Sequence, residues 1–281
     1  VSDTKAPIED FARWIGRTDA LHSDIITPRL NASFRATLDP HLAPSDTTPP
    51  GLHWCLTPSI VAADQLGLDG HPKKGGFLPP IPLPRRMWAG GQVEFISPLN
   101  VDETVEKKTT IKDIKWKTGD SGQLCFVTVS HDYSTLRGLC IREDQNIVYR
   151  SAANETGPSF TPKPFDKKFE CSEAAVIDQV RLFRYSALTF NGHRIHYDHP
   201  FATAIEFYPD LVIHGPLQAT LLLNLATKMR GSIPRRFSFR GAAPATGAQT
   251  LTIGGQETDD GIALSIVTEQ GYQSMSGQAK W

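Results

Sequence analysis

The stretch Leu182–Asp198 reads L-F-R-Y-S-A-L-T-F-N-G-H-R-I-H-Y-D, and the chain continues a short way on with Ile213-His214-Gly215-Pro216. Phe183, Ser186, Ala187 and Phe190 recur at three- and four-residue steps, the spacing of one helix face. The spacing predicts a helix that packs on that face and delivers Asn191 and its successors to a surface or cleft. Gly192 lets the backbone leave the helix. Beyond it Ile195 and Tyr197 alternate with His196 and Asp198, so an extended segment would send His196 and Asp198 to one side. Two imidazoles, a carboxamide and a carboxylate between Asn191 and Asp198 are too much polar chemistry for a core.

Outward from this stretch, P-L-Q-A-T-L-L-L-N-L-A-T-K-M-R at 216–230 starts with proline, ends with basic residues and is followed by Gly231. It is apolar almost all round and so is expected to be buried. Strands are expected at 235–240, 249–254, 262–269 and 272–281. The first half repeats the plan. Short amphipathic helices are expected at 7–17 and 28–38, the second with Thr27 as N-cap and Pro28 at its first position. A surface loop is expected at 39–53 and another helix at 57–66, stopped by Gly67. Residues 75–91, G-G-F-L-P-P-I-P-L-P-R-R-M-W-A-G-G, are too broken by glycine and proline for regular structure and too apolar for a solvated linker. They are expected to form an ordered loop lining a cavity, with Arg85, Arg86 and Trp88 available to a ligand. From 92 to 149 the alternation predicts long antiparallel strands. A Pro/Gly/Ser-rich bridge at 151–166 marks the domain boundary. The fold class expected is α+β: a long buried helix wrapped by an antiparallel sheet, present twice.

The chain has 281 residues, enough for two domains that each bury a core. Lys and Arg number 29 against 30 Asp and Glu, so no field favours nucleic acid or an anionic membrane surface. No apolar run approaches the roughly 20 residues of a membrane span, and a cytoplasmic or mitochondrial location is expected. Cys55, Cys125, Cys140 and Cys171 lack C-x-x-C spacing and read as buried reduced thiols.

A helix, then an acid or amide, then five residues to a histidine, then H-G opening a buried helix: this order resembles the MaoC-like hydratases of the hot-dog fold, whose signature is G-D-x-N-P-x-H followed by H-G. R-R-M-W-A-G-G at 85–91, Q-N-I-V-Y-R at 145–150 and F-R-Y-S-A-L-T-F-N-G-H-R-I-H-Y-D at 183–198 look like the itaconyl-CoA and mesaconyl-C4-CoA hydratase branch. The resemblance implies a double hot-dog. An N-terminal unit at 1–150 widens the acyl pocket, 151–166 is the linker, and a C-terminal unit at 167–281 keeps the catalytic machinery. His196 falls on the signature's catalytic histidine and Asn191 on its aspartate, while His193 replaces its asparagine and Arg194 its proline. The implied activity is addition of water to an enoyl-CoA, giving citramalyl-CoA from itaconyl-CoA or mesaconyl-C4-CoA. The alternatives are a 3-hydroxyacyl-thioester dehydratase of lipid synthesis and a non-catalytic acyl-CoA-binding protein. A homodimer joined through sheet edges is suggested by the same likeness.

The residues fit that chemistry on their own terms. An imidazole can activate water near neutral pH, which makes His196 the base. Asn191 can position the water without taking its proton. Gly215, at the positive end of the helix that follows, offers an N–H to a developing thioester oxyanion. Asp198 could orient His193 or His196, and His214 could fix the helix entry. Arg194 reads either as a clamp on a substrate carboxylate or as a surface ion pair. Arg85 and Arg86 read as contacts to coenzyme A phosphates or as solvated charges, Trp88 as core or ligand contact, and Tyr185 as a further substrate contact. Hydration needs neither electrons nor a strong Lewis acid, so no cofactor is expected beyond the coenzyme A of the substrate. A metal reading of His193-x-x-His196-x-Asp198 lacks an evident third ligand and sets chelator sensitivity as its test.

Overall fold

The apolar-polar alternation that runs through the middle of the chain becomes long antiparallel strands, as a period of two requires when one face is buried. The structure is a computed structural model and describes residues 8–119, 122–151, 162 and 164–281. The first half supplies β1 (His22–Ile25), β2 (Arg85–Phe95), β3 (Thr104–Gly119), β4 (Gly122–Thr135) and β5 (Gly138–Arg150). The second supplies β6 (Cys171–Ile177), β7 (Arg236–Gly241), β8 (Gln249–Thr258), β9 (Gly261–Val267) and β10 (Gln273–Lys280). All ten form one sheet in the order β1-β3-β4-β5-β2-β7-β10-β9-β8-β6. The half-sheets meet where β2 pairs antiparallel with β7, Gly90 opposite Arg240 and Glu94 opposite Arg236. The 151–166 bridge falls mostly on 152–161 and 163, which lie outside the described residues.

Three α-helices accompany the sheet: α1 (Pro28–Leu38), α2 (Gln179–Thr189) and α3 (Gly215–Arg230). Thr27 caps α1 as its sequence requires, its hydroxyl accepting from the Leu30 N–H at 3.1 Å. The α3 helix is the core of the second half. Leu217, Leu221, Leu222, Leu223 and Leu225 are buried around it, each contributing on the order of 1.5–3 kcal/mol by leaving water. Gly231 ends it with φ +74°.

Each half runs strand, helix, buried turn of helix, four antiparallel strands, which is the double hot-dog expected. The halves differ in the buried helix. In the first half its place in the order is taken by a single 3-10 turn, Leu52–Cys55, and the helix expected at 57–66 does not form. Thr57 stands at φ +47° and only Ala63–Gln65 makes a 3-10 turn. Residues 39–53 are likewise not a surface loop. Leu42, Ala43 and Leu52 are buried, and the segment is tied to α3 through the Asn224 side chain. Its Oδ1 accepts from the Ala43 N–H at 3.0 Å and its Nδ2 donates to the Pro50 carbonyl at 2.9 Å. Within the segment expected to be helical at 7–17, Ile8–Trp14 is a 3-10 helix, which packs Phe11 beside Ile111 and Trp116.

With no long helix over the first half's sheet, the space under it stays open. A cavity of about 1760 Å³ runs from Lys107, Thr109, His131 and Gln145 on that sheet to the start of α3. Of the loop expected to line the cavity, Gly76, Phe77 and Leu78 do so, and Ile81 and Leu83 pack into the core beside Ile111 and Tyr149. The last residues are strand: β2 begins at Arg85 and carries Arg85, Arg86 and Trp88 along the cavity. Burial of Cys55 and Cys125 pushes their thiols up to about 12, and all four cysteines are free.

Candidate active site

The α2 helix starts at the Asp178 cap, whose side chain accepts from the Arg181 N–H at 2.7 Å. It ends with Phe190 in the left-handed region at φ +50°, and the Asn191 N–H closes back onto the Ser186 carbonyl at 2.8 Å. The face of α2 turned to the core carries Leu182, Tyr185 and Ser186. Phe183 and Phe190 do not pack there as their spacing suggested. Both are exposed, and with Ala187 they border the cavity.

After Gly192 the chain makes a 3-10 turn, Arg194–His196, rather than an extended segment. His196 and Asp198 therefore part company. His196 is buried at the cavity wall, its Nδ1 donating to the Val212 carbonyl at 2.7 Å. That bond fixes the tautomer and leaves the Nε2 lone pair free. Asp198 faces away, accepting from Arg194 Nε at 2.8 Å and from the Phe201 N–H at 3.1 Å. It orients neither histidine. Those bonds, the Phe201 N–H first, hold its carboxyl below the usual range. Arg194 is spent on this pair and on the Leu68 carbonyl at 3.0 Å, its guanidinium over the Phe201 ring, and it is not among the cavity-lining residues. Of the two readings of Arg194, the geometry shows the ion pair and not the clamp on a substrate carboxylate.

Four imidazoles stand in a row. His214 stacks on His196 with centroids 3.7 Å apart and planes at 17°. His193 meets His196 edge to face at 5.4 Å, and His71 lies against His193 at 4.1 Å. The row is anchored at both ends, by Ser186 Oγ to His214 Nε2 at 2.9 Å and by Asp69 Oδ2 to His71 Nδ1 at 3.0 Å. Burial pushes His196 down to about 4 against the opposing pull of the Val212 carbonyl. Burial also lowers His214, His193 and His71, with the neighbouring imidazoles adding to the effect on the first two. Burial thus disfavours charge along the row, and at His71 the hydrogen bond to Asp69 works against it by favouring a proton.

Asp69 and His71 were not singled out in the sequence. They reach the site from the first half, on the loop L-D-G-H-P at 68–72. The Arg194 N–H donates to the Asp69 carbonyl at 2.9 Å. Gly70 sits so close that a Cβ on it would lie 1.9 Å from the Gly192 carbonyl oxygen. Only glycine permits that approach.

Gly215 is the first residue of α3 and lines the cavity. The Trp88 ring lies over it, and a Cβ at 215 would stand 2.6 Å from Trp88 Cε3. Trp88 is itself stacked on Phe239 at 4.5 Å and edge-on to Trp54 at 6.0 Å. Because Pro216 has no N–H, Gly215 and Leu217 carry the unpaired donors of the first helical turn. Asn191 is half-buried in the cavity wall, its Oδ1 accepting from the His193 N–H at 3.0 Å. Of the remaining candidates, Arg86 lines the cavity beside the Tyr149 hydroxyl, with a long bond from Nη2 to the Pro72 carbonyl at 3.4 Å. Arg85 is buried and paired with Glu206 at 2.6 Å. Tyr185 is sealed in the core beside His214, 5.1 Å between rings, and is not a cavity residue, so the substrate contact expected of it is corrected.

The metal reading of His193, His196 and Asp198 fails because Asp198 points elsewhere. Among the described residues, Asp69, His71 and His193 bring ligand atoms within 4.8 Å of one another. The Asp69 oxygen already accepts from His71, and the His193 ring lies against the His71 ring at 4.1 Å and a tilt of 44°, so the cluster is a hydrogen-bonded dyad lying against a third ring.

The sequence profile of hydroxyacyl-thioester dehydratase type 2 matches residues 51–247, a span that holds every group of this site. The chain belongs to that family. The chain is also similar to a mesaconyl-C(4)-CoA hydratase of Chloroflexus aurantiacus, 39% identical over 95% of this chain and 96% of its own. Among solved structures, HtdX of Mycobacterium tuberculosis superposes with a TM-score of 0.69 at 17% identity, covering 94% of this chain and 98% of its own. A second Mycobacterium tuberculosis protein, described as having a double hot-dog fold, superposes at 0.60 and 12% identity over 94% and 95%. At such identities the likeness is one of fold, and it agrees with the family's double hot-dog architecture.

Proposed function

We propose that the chain is a hydro-lyase that adds water across the double bond of a short enoyl-CoA with a carboxylate on the acyl group, of the mesaconyl-C4-CoA or itaconyl-CoA kind, to give citramalyl-CoA. The observation that carries this is the geometry of His196: its Nδ1 is held by the Val212 carbonyl, its Nε2 is free, and it shares a cavity with Gly215 at the first turn of α3. Nε2 takes a proton from water as the water oxygen bonds to the β-carbon. The π electrons move toward the thioester, whose oxygen gathers charge at the Gly215 N–H, and the α-carbon then takes a proton. Asn191 positions the water. Arg86, with no carboxylate at ion-pair distance among the described residues, is suited to the free carboxylate, whereas Arg85 is already neutralised by Glu206. Trp88 walls the acyl end. The identity to a mesaconyl-C(4)-CoA hydratase over nearly the whole chain supports this substrate class.

The second reading, dehydration of 3-hydroxyacyl thioesters with longer monocarboxylic chains, is favoured by the family's own description and by the size of the cavity. Turnover on mesaconyl-C4-CoA and on crotonyl-CoA separates the two. At least tenfold higher kcat/KM for the dicarboxylic substrate supports the first, and a preference for crotonyl-CoA or longer chains supports the second. No cofactor beyond the coenzyme A of the substrate enters the scheme. No described helix is long and apolar enough to cross a membrane, and we place the enzyme in the cytoplasm or mitochondrion. The assembly we favour is a homodimer. The two units run 1–150 and 167–281 on either side of the bridge.

A further inference from the structure

The signature that His196 satisfies pairs its histidine with an aspartate, and this chain has Asn191 there, an amide that carries no proton to give. A carboxylate is nevertheless present in the site, and it comes from the other half of the chain. Asp69 Oδ2 accepts from His71 Nδ1 at 3.0 Å. This arrangement fixes the His71 tautomer, leaves its Nε2 without a partner among the described residues and stabilises the ring when it gains a proton. His71 lines the cavity that Asn191, His193 and His196 also line. The loop that carries the dyad is held against the catalytic turn by the Arg194 N–H to Asp69 carbonyl bond and by the Gly70–Gly192 contact. A loop serving only as a wall would need neither an acid–imidazole pair nor a backbone approach that only glycine allows.

We infer that Asp69 and His71 supply the second proton-transfer group of the active site, with His71 as a catalytic residue and Asp69 as its positioning partner, in place of the acid missing at Asn191. The inference rests on the hydro-lyase reading above. In hydration His196 Nε2 takes the water proton while the water oxygen bonds to the β-carbon. The protonated His71 Nε2 gives its proton to the α-carbon, and the C=C π pair becomes the new C–H bond. One proton then passes from His196 to His71 through solvent at product release, which restores both rings. Dehydration is the same path reversed, neutral His71 accepting the α-proton and His196 returning a proton to the departing hydroxyl.

The groups that face His71 are Asp69 on its own loop, Arg86 on β2, and His193 and His196 on the turn after α2, with Lys74 near Asp69. Arg86 is the cation that most opposes a proton on His71 after burial, and Asp69 the anion that favours it. A substrate carboxylate on Arg86 offsets that opposing charge, so binding of a dicarboxylic acyl group favours the protonated dyad.

The test is a pH profile of hydration by the full-length enzyme, measured with His71→Gln, His71→Ala, Asp69→Asn and His196→Ala. His71→Gln is expected to lose at least about tenfold in kcat with KM within about twofold, and to lose the fall in rate on the alkaline side. Asp69→Asn is expected to shift that fall to lower pH, and exogenous imidazole to restore part of the rate of His71→Ala. Circular dichroism and coenzyme A binding equal to wild type show that the variants are folded. Wild-type kcat and pH profile in folded His71→Gln and Asp69→Asn would overturn the inference, and so would activity abolished by a chelator and restored by zinc. In either case an inactive His196→Ala leaves the hydro-lyase reading standing. Retained turnover in His196→Ala would remove that reading itself.

Discussion

His214 lies flat against His196, 3.7 Å between ring centroids and 17° between planes, while Ser186 Oγ holds the far side of His214 at Nε2. The base is thus clamped on two sides, by the Val212 carbonyl in its own plane and by an imidazole on its face. Replacing His196 with alanine removes the proton acceptor and leaves the cavity wall in place. The expected result is a loss in kcat of about 100-fold or more with KM nearly unchanged, read from initial rates on mesaconyl-C4-CoA.

The His214→Ala variant keeps the base but frees one of its faces and opens a void in a site that is fully buried. Its kcat should fall by less than that of His196→Ala, on the order of tenfold, and its melting temperature should fall as well, since deleting a buried ring costs about 3–5 kcal/mol. Rates and thermal unfolding measured on the same preparation check both.

At Gly215 even one methyl group has nowhere to go, because Trp88 is stacked between it and Phe239. Gly215→Ala should displace the Trp88 ring, seen as a change in near-ultraviolet circular dichroism, and destabilise the fold by roughly 1–3 kcal/mol. Pairing it with Trp88→Ala should recover most of the cost, and simple addition of the two losses would count against a steric origin.

Glu143 is buried, with Trp54 Nε1 donating to it at 2.9 Å. Burial pushes its carboxyl up to about 7, against the pull of Trp54 and Lys107. The folded state therefore holds this proton more tightly than the unfolded state, whose value is near 4.5. Stability from this group is intact below about 4.5 and is lost as pH rises toward 7, by on the order of 3 kcal/mol. Glu143→Gln keeps an acceptor for Trp54 and has no proton to lose. It should melt higher than wild type at about pH 8 and show a flatter pH dependence, which thermal unfolding at about pH 5 and pH 8 decides.

Asn224 offers a check outside the chemistry. Asn224→Ala leaves the Ala43 N–H without its acceptor inside the protein, so a loss of about 1–3 kcal/mol in stability is expected with kcat unchanged.

The legible parts were those set by local periodicity. The apolar run at 216–230, the alternation after Gln92 and the Thr27 cap of α1 each became the element their pattern implied. His196, Asn191 and Gly215 could be placed together because they flank one helix end and one helix start. What periodicity could not give was partnership across the chain. Arg194 reads equally as a clamp or as an ion pair until Asp198 and the Leu68 carbonyl are seen around it, and Tyr185 reads as a ligand contact until its burial is seen. Asp69 and His71 lie far upstream, in a loop with no regular spacing, and the contact of Gly70 with Gly192 and the bonds from Arg194 bring them in. The absent helix at 57–66 was misread for a related reason. Thr57-Pro58 is an acceptable start signal, and local sequence does not report that the space ahead is left for a cavity.

The pairing of β2 with β7 joins the two half-sheets into one continuous sheet. The proposed base belongs to one half, and the tryptophan over Gly215 and the acid–imidazole loop belong to the other. Neither half expressed alone would hold a working centre, and each would present a bare strand edge inviting self-association. Duplication with fusion, rather than pairing of free copies, is what would let the two halves diverge in this way, one giving up its long helix to make room while the other kept it.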